Sequence, residues 1–395
     1  MYKSLGDLAR MLLPLSRQKE YSLLRIKELN NEENYKKAKF LIKTGKADIT
    51  LERFSVSPKI AEETLYPCLK VKSKDDEVKQ FIKDLNTELE NSVKEKAFVS
   101  FSKHPEIILD YIAPNIFGLD SIKEAVALQL FCTEPVHMLL LGDPGTGKTE
   151  ILKSASELHP ISSFGLGSGI SGAGLGVTVR GNETVLGLLP RADGGLCAID
   201  ELNLMKREEY AYLYSAMEKG YITYNKANKN LNVKTDVKIL ATANPKGDKF
   251  VGWMLDTLRD QIPFDSALLS RFHIVFLIRK QGVEGFLHIT KKIVSCKKEP
   301  VNNSDIIFIK NYIESVEDIK SEFPKEFEPH VVNFMKYIKE NEDKFLIEAT
   351  PRIVVGFVRL CKARARMYKR DKANLEDVKK IKEIIEKSLF IREKS

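Results

Sequence analysis

Residues 142–150 read Gly142-Asp143-Pro144-Gly145-Thr146-Gly147-Lys148-Thr149-Glu150, directly after the apolar run at 138–141 and ahead of a helix-prone stretch ending near Leu158. Gly-x-x-x-x-Gly-Lys-Thr between a buried strand and a helix is the P-loop pattern, and the spacing serves one chemistry. Glycines let successive backbone N–H groups curl around phosphate oxygens at a helix N-terminus, where the helix dipole favours an anion. Lys148 brings a point charge to the β and γ oxygens of a nucleoside triphosphate. The Thr149 hydroxyl offers Mg²⁺ a hard oxygen ligand. ATP and Mg²⁺ are therefore the expected ligands of residues 142–150.

Three further stretches carry groups that such a cradle needs. The apolar run 196–199 ends in Asp200-Glu201. At a strand's carboxyl end the first carboxylate can join Thr149 around Mg²⁺, while the second polarises an attacking water. The run 237–243 ends in Asn244-Pro245, an amide placed to sense the γ-phosphate, although the same dipeptide also reads as a simple turn. Arg271, in Ala267-Leu268-Leu269-Ser270-Arg271-Phe272, precedes the run 274–278. Taken alone it reads either as a cation for phosphoryl charge or as a surface ion pair.

The elements that position these groups emerge from the apolar patterning. The chain has 395 residues, 43% of them hydrophobic, enough for two or three compact units with real cores. From about Pro105, strand-length apolar runs alternate with helical patterns and Gly/Pro punctuation, which predicts an α/β core with a parallel sheet over 104–296. Residues 1–103 carry helical periodicity (Leu5, Leu8, Leu12; Phe81, Ile82, Leu85, Leu89), with alternation at 49–51 and 54–56, and predict a small, mostly helical N-terminal domain. Residues 297–395 predict a helical domain with Val378, Ile381, Ile384 and Ile385 on one face.

Five cysteines stand singly without Cys/His ligand spacing, so neither a zinc site nor a disulfide framework is expected, and a reducing intracellular compartment fits. That means the cytoplasm in a prokaryotic cell. No apolar stretch approaches the roughly 18 residues of a membrane span, and the N-terminus lacks a signal-peptide core. The net charge of +8 permits a polyanionic partner without requiring one.

In this order and spacing, GDPGTGKT, AIDEL, ATANP and ALLSRF resemble an AAA+ ATPase, and residues 105–390 are similar to the ATPase module of the minichromosome maintenance (MCM) helicases. The narrower likeness rests on Ala113-Pro114-Asn115-Ile116-Phe117-Gly118, the stretch 123–131, Arg191-Ala192-Asp193-Gly194-Gly195, Ala216-Met217-Glu218 and Leu268–Phe272. The resemblance implies an AAA+ core with a helical lid. It implies that Lys148 and Thr149 contact phosphate and magnesium, that Asp200 and Glu201 form the second nucleotide motif, and that Asn244 is the sensor. Arg271 then matches an arginine finger acting on a neighbouring subunit, and Arg352 in Thr350-Pro351-Arg352 matches a second sensor that also acts on a neighbour. Sites between subunits imply a homo-oligomeric ring, a hexamer.

Two insertions extend the likeness. The Gly-rich stretch 165–176 followed by Val177–Arg180 and 184–189 reads as a β-hairpin interrupting a helix, similar to the family's helix-2 insertion. Residues 221–236 read as a second hairpin whose tip holds Lys226 and Lys229. On their own these are two solvated lysines. By resemblance they face single-stranded or forked DNA in a central channel, contacting phosphates without reading bases.

The basic stretch Arg359, Lys362, Arg364, Arg366, Lys369, Arg370 reads as a solvated or subunit-facing helix, with nucleic-acid contact as the alternative. By the resemblance, about a hundred residues stand where a zinc-binding, barrel-containing part is expected, and the sequence reaches only to the end of the lid, so a winged helix is not expected within these 395 residues. The chain also has Gly147-Lys148-Thr149 for Ala-Lys-Ser, and His273 for Asp. The competing readings are a remodelling ATPase of the MoxR/magnesium-chelatase branch acting on a protein partner, and an MCM-like protein that binds DNA without unwinding it.

Overall fold

The computed structural model describes residues 15–389 apart from positions 55, 58, 62–63, 181–182, 227–228, 248, 281, 296–300, 347 and 349. Two compact units divide the chain: Met1–Ile107 with Asn302–Phe308, and Ile108–Val301 with Ile309–Ser395.

In the first unit, helices Leu15–Leu29, Glu32–Lys43 and Asp76–Phe101 pack on an antiparallel hairpin of β1 (Ala47–Phe54) and β2 (Thr64–Val71). Asn31 and Asp75 start the second and third helices by accepting the N–H groups of Asn34 and Glu77, which satisfies donors that the helix itself leaves open. Val78, Ile82, Leu85, Leu89 and Val93 recur at three- and four-residue spacing and form one buried stripe against Ile26, Leu29, Leu41, Ile49 and Leu69. Asn86 clasps β2 by bonding both the N–H and the C=O of Leu69 at 2.9 Å. The alternation at 49–51 thus belongs to a strand. Leu5, Leu8 and Leu12 lie outside the described residues.

The second unit is built on five parallel strands: β3 (Met138–Gly142), β4 (Ser162–Leu166), β7 (Leu196–Asp200), β10 (Lys238–Ala243) and β11 (Ile274–Ile278), in the order β11-β3-β10-β7-β4. The three inner strands are buried along their whole length, which is why they read as mainly apolar runs instead of alternating ones, with Lys238 and Thr242 the polar members of β10 and Asp200 that of β7. The edge strand β4, Ser-Ser-Phe-Gly-Leu, is half exposed and has no such run in the sequence. Because all five strands point the same way, their carboxyl ends share one edge of the sheet, and every polar group named at a strand end arrives there.

The first insertion forms a hairpin of β5 (Val177–Arg180) and β6 (Glu183–Leu186). The expected second strand, 184–189, is corrected: it ends at Leu186, and Leu188–Arg191 is a helical turn. There Leu189 is fully buried, and burial in the core outweighs strand propensity. The second insertion forms a hairpin of β8 (Tyr221–Lys226) and β9 (Lys229–Lys234), entered from helix Tyr210–Lys219 through Gly220 in a left-handed conformation (φ 68°).

Helices Glu328–Glu340, Pro351–Met367 and Leu375–Leu389 complete the C-terminal part, together with the later turns of Asn303–Ser315. The basic run on Pro351–Met367 is held internally. Arg359 and Lys362 pair with Glu134, Arg364 and Arg370 converge on the fully buried Asp377, and Arg366 donates to the carbonyls of Phe131 and Ile319. Among the described residues no helix is long and apolar enough to cross a membrane.

His273 packs under this helix, where a Cβ on Gly356 would come within 2.9 Å of the His273 Cβ. Its Nδ1 accepts the backbone N–H of His137 at 3.0 Å, and His137 Nδ1 in turn accepts the N–H of Ile239 at 3.3 Å. Both rings act as neutral acceptors. Burial pushes His137 down to about 3 and His273 to about 2. The unfolded chain takes up these protons near pH 6.5 and the folded one does not, so stability is complete above that pH and falls as pH drops below it. Between pH 7.5 and 5.5 each histidine should remove about 1.4 kcal/mol. His273→Asn keeps an acceptor and removes the titration, so its stability should fall less over this range in pH-dependent urea unfolding. An unchanged slope would mean that His273 is not the group excluding the proton.

Candidate active site

β3 delivers the P-loop under tight constraint. A Cβ on Gly142 would stand 2.2 Å from the carbonyl oxygen of Ile278 in β11, the same carbonyl that accepts the Asp143 N–H at 2.9 Å. Gly145 and Gly147 have φ of 74° and 87°, which glycine adopts without strain. At Gly147 a Cβ would also meet Ile116 at 2.8 Å. The loop containing Ile116 is fixed by Lys123, whose Nζ donates to the carbonyls of Ala113 and Ile116 at 2.8 and 2.7 Å. Helix Lys148–Leu158 starts at Gly147 with no side-chain cap, so its first N–H groups are left to serve an anion.

Lys148 is buried, and its Nζ donates to the carbonyls of Gly142 and Asp143, both at 2.7 Å. Burial lowers it to about 8, against the pull of Asp143, Asp200 and Glu201; it stays cationic at neutral pH. Thr149 Oγ1 donates to Asp200 Oδ2 at 2.8 Å. A hydroxyl and a carboxylate brought together beside an uncapped helix start are an all-oxygen donor set, and this fits Mg²⁺ carried on a triphosphate.

Glu201 follows with φ 52° and ψ 47°, a left-handed conformation held because its N–H donates to Thr242 Oγ1 at 2.9 Å. Gly167 approaches so closely that a Cβ there would lie 2.2 Å from the Glu201 carbonyl oxygen. Asn244 sits just past β10, and its N–H donates to Asn203 Oδ1 at 3.0 Å. Lys148, Thr149, Asp200, Glu201 and Asn244 thus gather at the carboxyl edge of β3, β7 and β10.

Asp143 has a different office from its neighbours in the loop. Its carboxylate accepts the backbone N–H of Phe250 at 2.7 Å and of Lys280 at 2.9 Å, tying the P-loop to the segments that follow β10 and β11. Arg279 continues the tie: it donates to the carbonyls of Phe250 and Gly252 and stacks 3.9 Å above the Trp253 ring. Neither Asp143's two backbone bonds nor the contribution of Thr242 was visible in the motif spacing. The one available signal for Thr242 was a polar residue inside a fully buried strand.

Arg271 and Arg352 are not part of this gathering. Ile274 pairs with Met138, so Arg271 lies at the amino edge of the sheet while the P-loop leaves the carboxyl edge. The five residues of β3 separate the two edges by roughly 16 Å. The Arg271 guanidinium lies 4.3 Å from the Tyr214 ring centroid and donates to Ala267 O at 2.5 Å and Glu218 Oε2 at 3.1 Å. Arg352 donates to the Arg271 carbonyl at 3.2 Å and lies 3.7 Å from Glu218 Oε1. Arg352 and Glu218 line an open cleft of about 470 Å³ together with Lys219, Lys234 and Arg359. Lys226 and Lys229 pair across the second hairpin by backbone register; their side chains lie outside the described residues. Those residues contain no group of three or more His, Cys, Asp or Glu side chains able to hold a metal ion.

Residues 94–296 match the family model of the MCM P-loop domain. The minichromosome maintenance protein MCM of Saccharolobus solfataricus is 29% identical over 313 residues, covering 72% of this chain and 45% of that protein. A probable DNA helicase MCM9 of Oryza sativa subsp. indica is 31% identical over 299 residues, covering 69% and 44%, and the DNA replication licensing factor MCM5 of Arabidopsis thaliana is 27% identical over 325 residues, covering 73% and 44%. The chain spans less than half the length of these relatives.

The Asp143 clamp generates an expectation that differs from phosphate contact. Asp143→Ala leaves the N–H groups of Phe250 and Lys280 without their acceptor, and should lower unfolding free energy by about 2–4 kcal/mol, with Asp143→Asn intermediate. Urea unfolding without nucleotide measures this. Equal stability of Asp143→Ala and the parent would remove the clamp.

Proposed function

The chain belongs to the MCM family, and we propose that it is an ATP-hydrolysing DNA translocase and helicase whose sites form between like subunits of a ring. The observation that carries this reading is the separation just described. The residues proposed to hold and hydrolyse ATP collect at one edge of the sheet, while the two arginines suited to a transferring phosphoryl group stand at the other, Arg352 lining the open cleft and Arg271 packed beside it on Tyr214 and Glu218. A second copy presenting its amino-edge face to this P-loop supplies the missing cations.

In this reading each residue has a role that its position supports. The uncapped helix start and the glycines of 142–150 receive the triphosphate, and Lys148 exchanges its two carbonyl partners for phosphate oxygens. Thr149 and Asp200 would hold Mg²⁺, which would supply positive charge against the phosphates. Glu201, turned away from Asp200 by its left-handed backbone, polarises the attacking water, and Asn244 orients it. Arg271 and Arg352 of the neighbouring copy leave Glu218 for the phosphoryl oxygens, where a desolvated cation stabilises the developing charge. The second hairpin carries Lys226 and Lys229 toward DNA phosphates in a hexameric ring, which makes binding sequence-independent and salt-sensitive. A DNA substrate places the protein inside the cell.

Single-stranded or forked DNA should stimulate ATP hydrolysis at low salt. Absence of both stimulation and DNA binding would favour a remodelling ATPase with a protein partner, and binding without strand separation would favour a non-unwinding relative. Arg271→Ala should reduce kcat by about 10³-fold or more with nucleotide affinity retained. Mixing it with Lys148→Ala should restore part of the activity, because one interface then combines an intact P-loop with an intact arginine. No recovery at any mixing ratio would argue against shared sites. Lys226→Ala should weaken DNA stimulation severalfold and leave DNA-free hydrolysis nearly unchanged; equal loss of both would remove the hairpin from the DNA path.

A further inference from the structure

Thr242 stands inside β10, the strand between β3 and β7, and is almost completely buried. Its hydroxyl donates to Asp200 Oδ1 at 2.5 Å and accepts the Glu201 N–H at 2.9 Å. The other Asp200 oxygen, Oδ2, accepts from Thr149. One hydroxyl therefore fixes two things. It sets the rotation of the Asp200 carboxylate, leaving Oδ2 toward Thr149, and it anchors the backbone turn that separates Glu201 from Asp200.

A threonine hydroxyl has one proton to donate and lone pairs to accept with, and the two neighbours require that division. Ionised Asp200 can only accept, and the Glu201 amide can only donate. Valine would fill the same volume and satisfy neither, so Thr242 is not an interchangeable strand residue.

We propose that Thr242 is a positioning residue for metal and water. By holding Asp200 and Glu201 in one relative orientation, it couples the metal-binding carboxylate to the water-polarising one. The proposal rests on the ATPase reading given above. It adds a residue whose hydroxyl bonds the Asp200 carboxylate and the Glu201 N–H and which acts through those two residues.

The test compares Thr242→Val, Thr242→Ser and Thr242→Ala with the parent, using three readouts. Without nucleotide or metal, hydrogen exchange at the Glu201 amide should accelerate at least tenfold in the valine and alanine variants and stay near parent in the serine variant. Binding of a fluorescent ATP analogue should be unchanged in EDTA, whereas the tightening produced by Mg²⁺ should shrink severalfold in valine and alanine and persist in serine. The kcat should fall by about 10–100-fold in valine and alanine with a small change in KM, and return in serine.

Parent-like exchange and Mg²⁺ dependence in Thr242→Val would overturn the proposal. So would a serine variant as impaired as the valine one, since packing would then be the cause. If valine does not fold, alanine against serine decides the matter. A parent protein without ATPase activity would sink the functional reading alone, because exchange and Mg²⁺-dependent binding still judge Thr242.

Discussion

Asp200 has two carboxylate oxygens, and a threonine hydroxyl from a different neighbouring element holds each of them: Thr149 from the P-loop helix and Thr242 from β10. The arrangement depends on parallel strands laid side by side, with β10 between β3 and β7. If β10 shifted by one residue, Thr242 would turn to the other face of the sheet, and its bonds to the Asp200 carboxylate and to the Glu201 N–H would be lost. Register is secured by burial, since the inner strands are enclosed on both faces. The apolar sheet and the polar centre are thus one constraint. Burial sets the register, and the register brings a hydroxyl, a carboxylate and a lysine to the same edge.

The same sheet acts as a ruler against self-sufficiency. A strand that delivers its carboxyl end to ATP necessarily keeps its amino end a strand-length away, and Arg271 is fixed to the amino end of β11. Glu218 keeps the pair of arginines together on that side, and Tyr214 supplies a face for Arg271 to rest on. Carboxylate and aromatic ring reduce the cost of holding two cations close together on an open surface. Within the proposed ring, a phosphate on the neighbouring subunit is a stronger competitor for the same guanidinium groups than a half-exposed carboxylate.

How much of this was legible in the sequence depended on how far each feature is local. The P-loop, the acidic pair after β7 and the amide after β10 each lie within a few residues of the strand that places them, so type and spacing identified them. The four apolar runs gave their strands, whereas β4 did not, because this half-exposed edge strand opens on two serines, Ser162 partly exposed and Ser163 buried with its hydroxyl on the Leu188 carbonyl. Relations across elements were illegible. Thr242 looks like any residue in a strand until β7 is laid beside it, and Asp143 looks like part of a phosphate loop until Phe250 and Lys280 present their N–H groups. His273 shows the same limit: it stands where an acidic residue was expected, and its role as a buried neutral acceptor depends on His137, which follows a different helix.

The basic helix carries the last consequence. Composition gives a net charge of +8, and the densest run of cations lies on Pro351–Met367, yet Arg359, Lys362, Arg364 and Arg366 on this helix, and Arg370 just after it, already bond to Glu134, Asp377 or backbone carbonyls. A guanidinium held by a buried carboxylate would have to give up that partner to bind a phosphate, at a cost comparable to breaking a buried ion pair. From Arg359 onward, charge on this helix therefore serves the fold; Arg352 in its first turn is the exception, held by Glu218 and the Arg271 carbonyl. The hairpin of β8 and β9 is better connected for the proposed work, because it continues through Gly220 from the helix that carries Tyr214 and Glu218. Within the proposed ring, exchange of Arg271 between Glu218 and a neighbour's phosphate would act on the base of the element proposed to meet DNA, through a single helix of ten residues.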